Sequence, residues 1–244
     1  MKRTSIGLAL AFGMIGSASA AVNCNSFPQN TITGSVNDDV VAVGYPCTIA
    51  ATGFVNGNLI QSGAGGLIIR GVVNGGVEES GSGSVSIVGG RVGGGVTEAD
   101  GGNVVLSRGA SVNGGVEESG PGDVRVTVDL PGVVNADIIE SGTGSVFIDA
   151  NTGSYEGSVF EFDDGSVFIT VDARVSFKGN VEEYGVGDIT AVITGVFEGN
   201  VAEYGPGDVE TDGAGTFKGN SEYQLPGVCS NTIGDFQGAA CNLL

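Results

Sequence analysis

The chain has 244 residues, of which 46 are glycine, 28 are acidic and nine are basic, with four cysteines and neither histidine nor tryptophan. Without histidine there is no Ser-His-Asp or Cys-His nucleophilic site, no imidazole base near neutral pH and no His-ligated zinc. The net charge of −19 opposes DNA, RNA and anionic lipid surfaces, where binding relies on Lys and Arg displacing phosphate counterions. Charged residues are only 15% and hydrophobic ones 41%, which argues for a folded chain whose glycine has a regular cause.

The chain opens on Met1-Lys2-Arg3, continues with an apolar run over residues 6–15 and reaches Ala18-Ser19-Ala20, an A-x-A cleavage pattern. This predicts a signal peptide of bacterial style over residues 1–20, because the apolar run is too short to cross about 30 Å of hydrocarbon. The mature protein is expected to be secreted, at the cell surface or in the periplasm, with no membrane span. Removing Lys2 and Arg3 leaves seven basic residues against 28 acidic ones, a formal charge of −21.

Residues 21–53 follow as an expected N-terminal cap containing Cys24 and Cys47. Cys229 and Cys241 lie in an expected last rung and C-terminal cap over residues 217–244. Proximity predicts Cys24–Cys47 and Cys229–Cys241 disulfides, one at each end. The other two connectivities and metal ligation are the alternatives, against which stand the oxidising compartment and the lack of any C-x-x-C pair.

Residues 54–216 are expected to be repeats. V-N-G-G-V-E-E-S-G-S-G-S-V-S-I at 73–87 returns as V-N-G-G-V-E-E-S-G-P-G-D-V-R-V at 112–126, F-K-G-N-V-E-E-Y-G-V-G-D-I at 177–189 and F-E-G-N-V-A-E-Y-G-P-G-D-V at 197–209. One column runs Gly57, Gly75, Gly94, Gly114, Ala136, Gly157, Gly179, Gly199 and Gly219. A second is glycine throughout from Gly65 through Gly102 and Gly144 to Gly227. Columns of this kind indicate corners where φ is positive or where stacked chains approach closely.

Apolar residues alternate within each unit, as in Val124, Val126 and Val128 around Arg125 and Thr127, which is the period of half-buried strands. Each unit of about 20 residues is too small to bury its own apolar face, so stacking must supply the core. The predicted fold is an all-β, single-domain parallel β-solenoid of about nine rungs, a rod of roughly 40 Å. Val85, Val104, Val124, Val146, Val167, Ile189 and Val209 form its expected aliphatic ladder, and Tyr155, Phe177, Phe197 and Phe217 an aromatic one. Outside, Glu156, Lys178, Glu198 and Lys218 alternate in sign down one column.

The motif [VF]-x-G-[NG]-V-x-E-x-G-x-G-[DS]-[VI], over about residues 54–227, resembles secreted bacterial β-solenoid repeat proteins. The G-P-G-D runs beginning at Gly120 and Gly205 are similar to calcium-binding nonapeptide repeats, but the unit here returns about every twenty residues. Ice-binding solenoids present a ranked threonine face, which Thr127, Thr170, Thr190 and Thr211 do not form. The Gln and Asn ladders of curli-type amyloid subunits are also missing.

The candidate functional column is Gln61, Glu79, Glu98, Glu118, Glu140, Glu161, Glu183 and Glu203. Strand parity points Glu79 inward with Val77, but seven ionised carboxylates in a dry core would cost several kcal/mol each. A solvated corner is therefore expected. There the glutamates would accept backbone N–H bonds from the glycine turn, bind a divalent cation such as Ca²⁺ in series, or form a plain solvated face. The neighbouring Phe162, Tyr184 and Tyr204 are expected to pack over the corner, with sugar binding as the other reading.

Two functions fit. The first is an exported, non-enzymatic structural or adhesive protein whose acidic faces meet a surface, polymer, glycan or further copies of itself, with no catalytic residue and no cofactor apart from the Ca²⁺ option. The second is a carbohydrate-active β-helix hydrolase with Asp163 and Asp164 as paired acids, since polygalacturonase-like solenoids hydrolyse without a His nucleophile.

Overall fold

A computed structural model describes residues 21–129 and 133–244; the expected signal peptide of residues 1–20 lies outside the described residues. Short strands joined by tight corners wind into a parallel β-solenoid with three strands to a turn. One turn comprises Val77–Ser80, Val85–Val88 and Arg91–Val92, after which Val96–Ala99 begins the next. The first wall is a sheet of 12 strands and the second a sheet of 11. The third wall is divided into sheets of five and six strands, the division falling between Ser111–Val112 and Val133–Val134. Each strand pairs with its equivalent one turn away, in register, so the backbone polar groups of one turn are satisfied by its neighbours.

There are about eleven turns rather than nine, a rod of roughly 50 Å at the usual strand spacing. The additional turns come from the segments expected to be caps. Val40–Val43 and Cys47–Ile49 are paired within the first and second walls, as are Cys229–Asn231 and Asn242–Leu243 at the other end. These outer turns lack the repeat signature. Ala42, for instance, stands in register with Gln61 where a glutamate would be expected. Helix is confined, among the described residues, to two 3-10 turns at Cys24–Ser26 and Pro28–Asn30.

The core is built by columns. Val85 pairs with Val104, Val104 with Val124 and so on to Val209, every member buried. Removing each such side chain from water contributes about 1.5–3 kcal/mol. Tyr155, Phe177, Phe197 and Phe217 stack face to face with centroids 4.7–4.9 Å apart, and Phe236 extends the stack by one ring. The Tyr155 hydroxyl, buried at the base of this stack, donates to the Ala136 carbonyl at 2.8 Å.

The second glycine column is set by close approach. A Cβ on Gly102 would lie 1.6 Å from the Gly83 carbonyl oxygen, and one on Gly144 would lie 1.6 Å from that of Gly122. In the first column Gly179 combines the same crowding with φ of 150°, outside the region that L side chains favour.

Polar ladders satisfy backbone groups at the corners. The N–H of Asn103 donates to Ser84 Oγ one turn below, that of Asp123 to Asn103, that of Ser145 to Asp123, and the series continues through Ser166, Asp188 and Asp208 to the Val228 N–H. Cys24–Cys47 and Cys229–Cys241 are disulfides near the two termini, as expected from their spacing. In the chain-entropy picture loops of this size are worth about 3 kcal/mol each.

Candidate functional site

The first wall carries the glutamate column on its interior side. Gln61 pairs in register with Glu79, Glu79 with Glu98, Glu98 with Glu118, Glu118 with Glu140, and the column continues through Glu161 and Glu183 to Glu203. All eight residues have 0% exposure. The expectation of a solvated corner is thus corrected: parity prevails, and the glutamates face inward with Val77, Val96 and Val116. The heavy cost of desolvation falls on ionised carboxylates, whereas a carboxyl holding a proton has no such charge to bury.

One oxygen of each glutamate is tied to its own corner. Glu79, Glu118 and Glu140 accept from the backbone N–H four residues on, at Gly83, Gly122 and Gly144, over 3.2–3.3 Å. Glu98 accepts from Gly102 at 2.7 Å and from Gly101 at 3.3 Å. From Glu161 onward the donor moves to the residue two further on: Asp163, Gly185 and Gly205. This change accompanies the replacement of small residues at the next position by Phe162, Tyr184 and Tyr204. The corner-bracing role read from the sequence is present, although from within the core.

The other oxygen, Oε2, is buried without a hydrogen-bond donor in all seven glutamates, as is Gln61 Oε1. Burial is the largest influence on the carboxyls of Glu79, Glu118, Glu140, Glu161, Glu183 and Glu203, and the charge of neighbouring carboxyls adds to it. Glu79, Glu161 and Glu183 are pushed up to about 8, Glu118 to about 9 and Glu140 to about 7; Glu203 is also raised. Successive carboxyls lie within side-chain hydrogen-bonding reach of one another from Glu79 to Glu203.

Among the described residues no group of three or more His, Cys, Asp or Glu side chains is arranged to hold a metal ion. A single column bounds any gap with two of its carboxyls, whereas Ca²⁺ takes about six to eight oxygens.

Outside, Phe162, Tyr184 and Tyr204 form an exposed stack with centroids 5.1 and 4.7 Å apart and planes within 10°. Ring faces in such a stack cover one another and only edges meet solvent, which suits corner packing better than a platform for sugar rings. Phe147 and Phe168 stack likewise on the second wall, with the Arg125 guanidinium 3.9 Å from the Phe147 centroid. The alternating charge column stands in register, with Lys218 2.9 Å from Glu198 and Lys178 3.8 Å from Glu156; Glu198 is half-buried and the other three are exposed. Asp163 and Asp164 are exposed neighbours on a single corner.

The residues that sequence reasoning missed are the Ser, Asn and Asp side chains of the corner ladders and Phe236. Their signal was a polar position kept one residue before each valine of the aliphatic column, from Ser84 to Asp208. Comparison of the chain with family models, with curated proteins and with solved structures returned no match.

Proposed function

We propose that the protein is an exported, non-enzymatic structural or adhesive rod whose repeated outer faces contact an extracellular polymer, a glycan, a surface component or further copies of itself. The observation that carries this reading is the continuity of the stack. Equivalent strands follow one another through about eleven turns, and among the described residues the corners that join them are a few residues long, with no turn elaborated into a cleft. A hollow beside one corner is lined by Asn151, Thr152, Ala173, Arg174 and Val175, with no carboxylate to serve as an acid or base. Export is supported by the residue 1–20 pattern and by two disulfides, which persist in oxidising compartments.

With the seven-glutamate column in the core, the outward acidity rests on other residues. Glu78 and Glu117 stand exposed on the first wall, and Glu182 and Glu222 lie in the same outward column half-buried. Cationic groups on a partner suit such a face better than phosphates do.

A glycan and polymer binding screen run beside a hydrolysis assay on acidic and neutral polysaccharides tests the reading. Retention of the rod on a polymer without release of reducing ends is expected. Turnover that disappears in an Asp163→Asn, Asp164→Asn variant would establish the hydrolase instead.

A further inference from the structure

The seven Oε2 atoms and Gln61 Oε1 are all acceptors when the glutamates are ionised, and they are buried without donors. Such a column would hold seven negative charges, adjacent ones one strand spacing apart, in a core where each unmet polar atom is costly. Among the described residues no Lys or Arg is buried, and the buried polar residues besides this column are Thr211 and Ser221. The second wall presents aliphatic columns to the interior and the third presents Val73, Val92 and Val112, then the aromatic stack. The charged groups that act on the column from outside it are Asp100 near Glu79 and Asp188 near Glu203, both of which oppose ionisation further.

We propose that Gln61 and the seven glutamates form one hydrogen-bonded spine in which carboxyl protons, rather than metal cations, bridge neighbouring turns of the folded rod. One proton in each of the seven gaps of the column, from Gln61–Glu79 to Glu183–Glu203, supplies a donor between every pair of neighbouring side chains. Gln61 marks the end of the series with a side chain that is the neutral isostere of a protonated glutamate. It occupies the same register position, is equally buried and leaves its carbonyl oxygen facing the column without a donor. The Gly N–H bonds to Oε1 fix each carboxyl at its corner, so the spine is positioned by the backbone and filled by protons.

The chain therefore takes up protons as it folds, and the rod is a device that alkali loosens. The folded protein therefore carries several fewer negative charges than its formula charge of −19 indicates.

The test is proton release on unfolding. In weakly buffered guanidinium chloride at pH 7, unfolding of the full chain is expected to liberate several protons, and Glu118→Gln, Glu140→Gln, Glu161→Gln together should lower that release by about three. Infrared spectroscopy of the unmodified protein at pH 7 should show the C=O stretch of protonated carboxyls, shielded from rapid exchange and lost on unfolding. This second measurement holds even if the triple variant does not fold. Release below one proton per chain, or absence of that band, overturns the proposal. So does a Ca²⁺-dependent rise in melting temperature that EDTA reverses and the triple variant lacks, which would place cations in the column.

Discussion

Glu118 and Glu140 stand directly opposite each other on adjacent turns, both inside the core, each held by a glycine N–H at its own corner and each with its second oxygen turned to a buried neighbour. Two like groups at one strand spacing repel when ionised and attract when they share a proton. Their protonation state therefore decides whether this column strengthens the rod or weakens it.

The first prediction is a stability profile that falls as pH rises from about 5. Glu79, Glu140, Glu161 and Glu183 are raised to between about 7 and about 8 and Glu118 to about 9, from an ordinary value of 4.5. A group whose folded value is raised binds its proton more tightly when folded. Its contribution is complete below the unfolded value and is lost as pH climbs through the folded one. Melting temperature should fall progressively from about pH 5 upward and level off only above about pH 9, once the raised groups have titrated in the folded state, as followed by circular dichroism. A maximum above pH 8 would contradict the assignment.

Gly144 tests the packing of the corners. A Cβ there meets the Gly122 carbonyl at 1.6 Å and the Glu140 carboxyl at 3.0 Å, so Gly144→Ala must separate two turns or displace the glutamate. A loss of several kcal/mol is expected, at the severe end for single substitutions. Gly44→Ala is the control, since its Cβ meets nothing within 4 Å and only its φ of +72° opposes the change, for about 1 kcal/mol. Urea unfolding of both variants measures the difference.

In the aromatic column, Phe177 lies between Tyr155 and Phe197, each centroid 4.7 Å from its own. Phe177→Ala should cost about 3–5 kcal/mol, since it opens a cavity that the flanking rings cannot both close. Tyr155→Phe retains the stack but orphans the Ala136 carbonyl, and about 1–2 kcal/mol is expected. Chemical denaturation should rank the two in that order.

The disulfides offer a fourth test. Cys24→Ser, Cys47→Ser and Cys229→Ser, Cys241→Ser should each lower stability by about 3 kcal/mol in the chain-entropy picture. Hydrogen exchange should show the added opening in the turns nearest the lost bridge, with the central turns protected. Uniform loss of protection along the rod would show that the turns unfold as one unit instead.

Much of this architecture is written in the one-dimensional chain. Alternation at Val124, Val126 and Val128 identifies strands. Recurrence from Val85 to Val209 identifies the stacked ladder, and the Cys24–Cys47 and Cys229–Cys241 spacings identify their pairings. These features are legible because a parallel solenoid repeats in space what it repeats in sequence, so a column in the alignment is a column in the rod. The outer turns were not legible, because Ala42 and the segment after Gly227 keep the backbone path while losing the side chains that mark it.

The side of the wall on which the glutamates lie was decided only by the tertiary structure. Sequence parity places Glu118 inside, and the cost of burying an ionised carboxylate places it outside. The conflict is resolved only when the neighbouring turns surround it. Once Glu98 and Glu140 are in register above and below, and Gly122 has brought its N–H to Oε1, the buried group need not be an anion. Protonation depends on that assembled environment, since the same residue in an open chain has an ordinary carboxyl and no neighbour with which to share its proton.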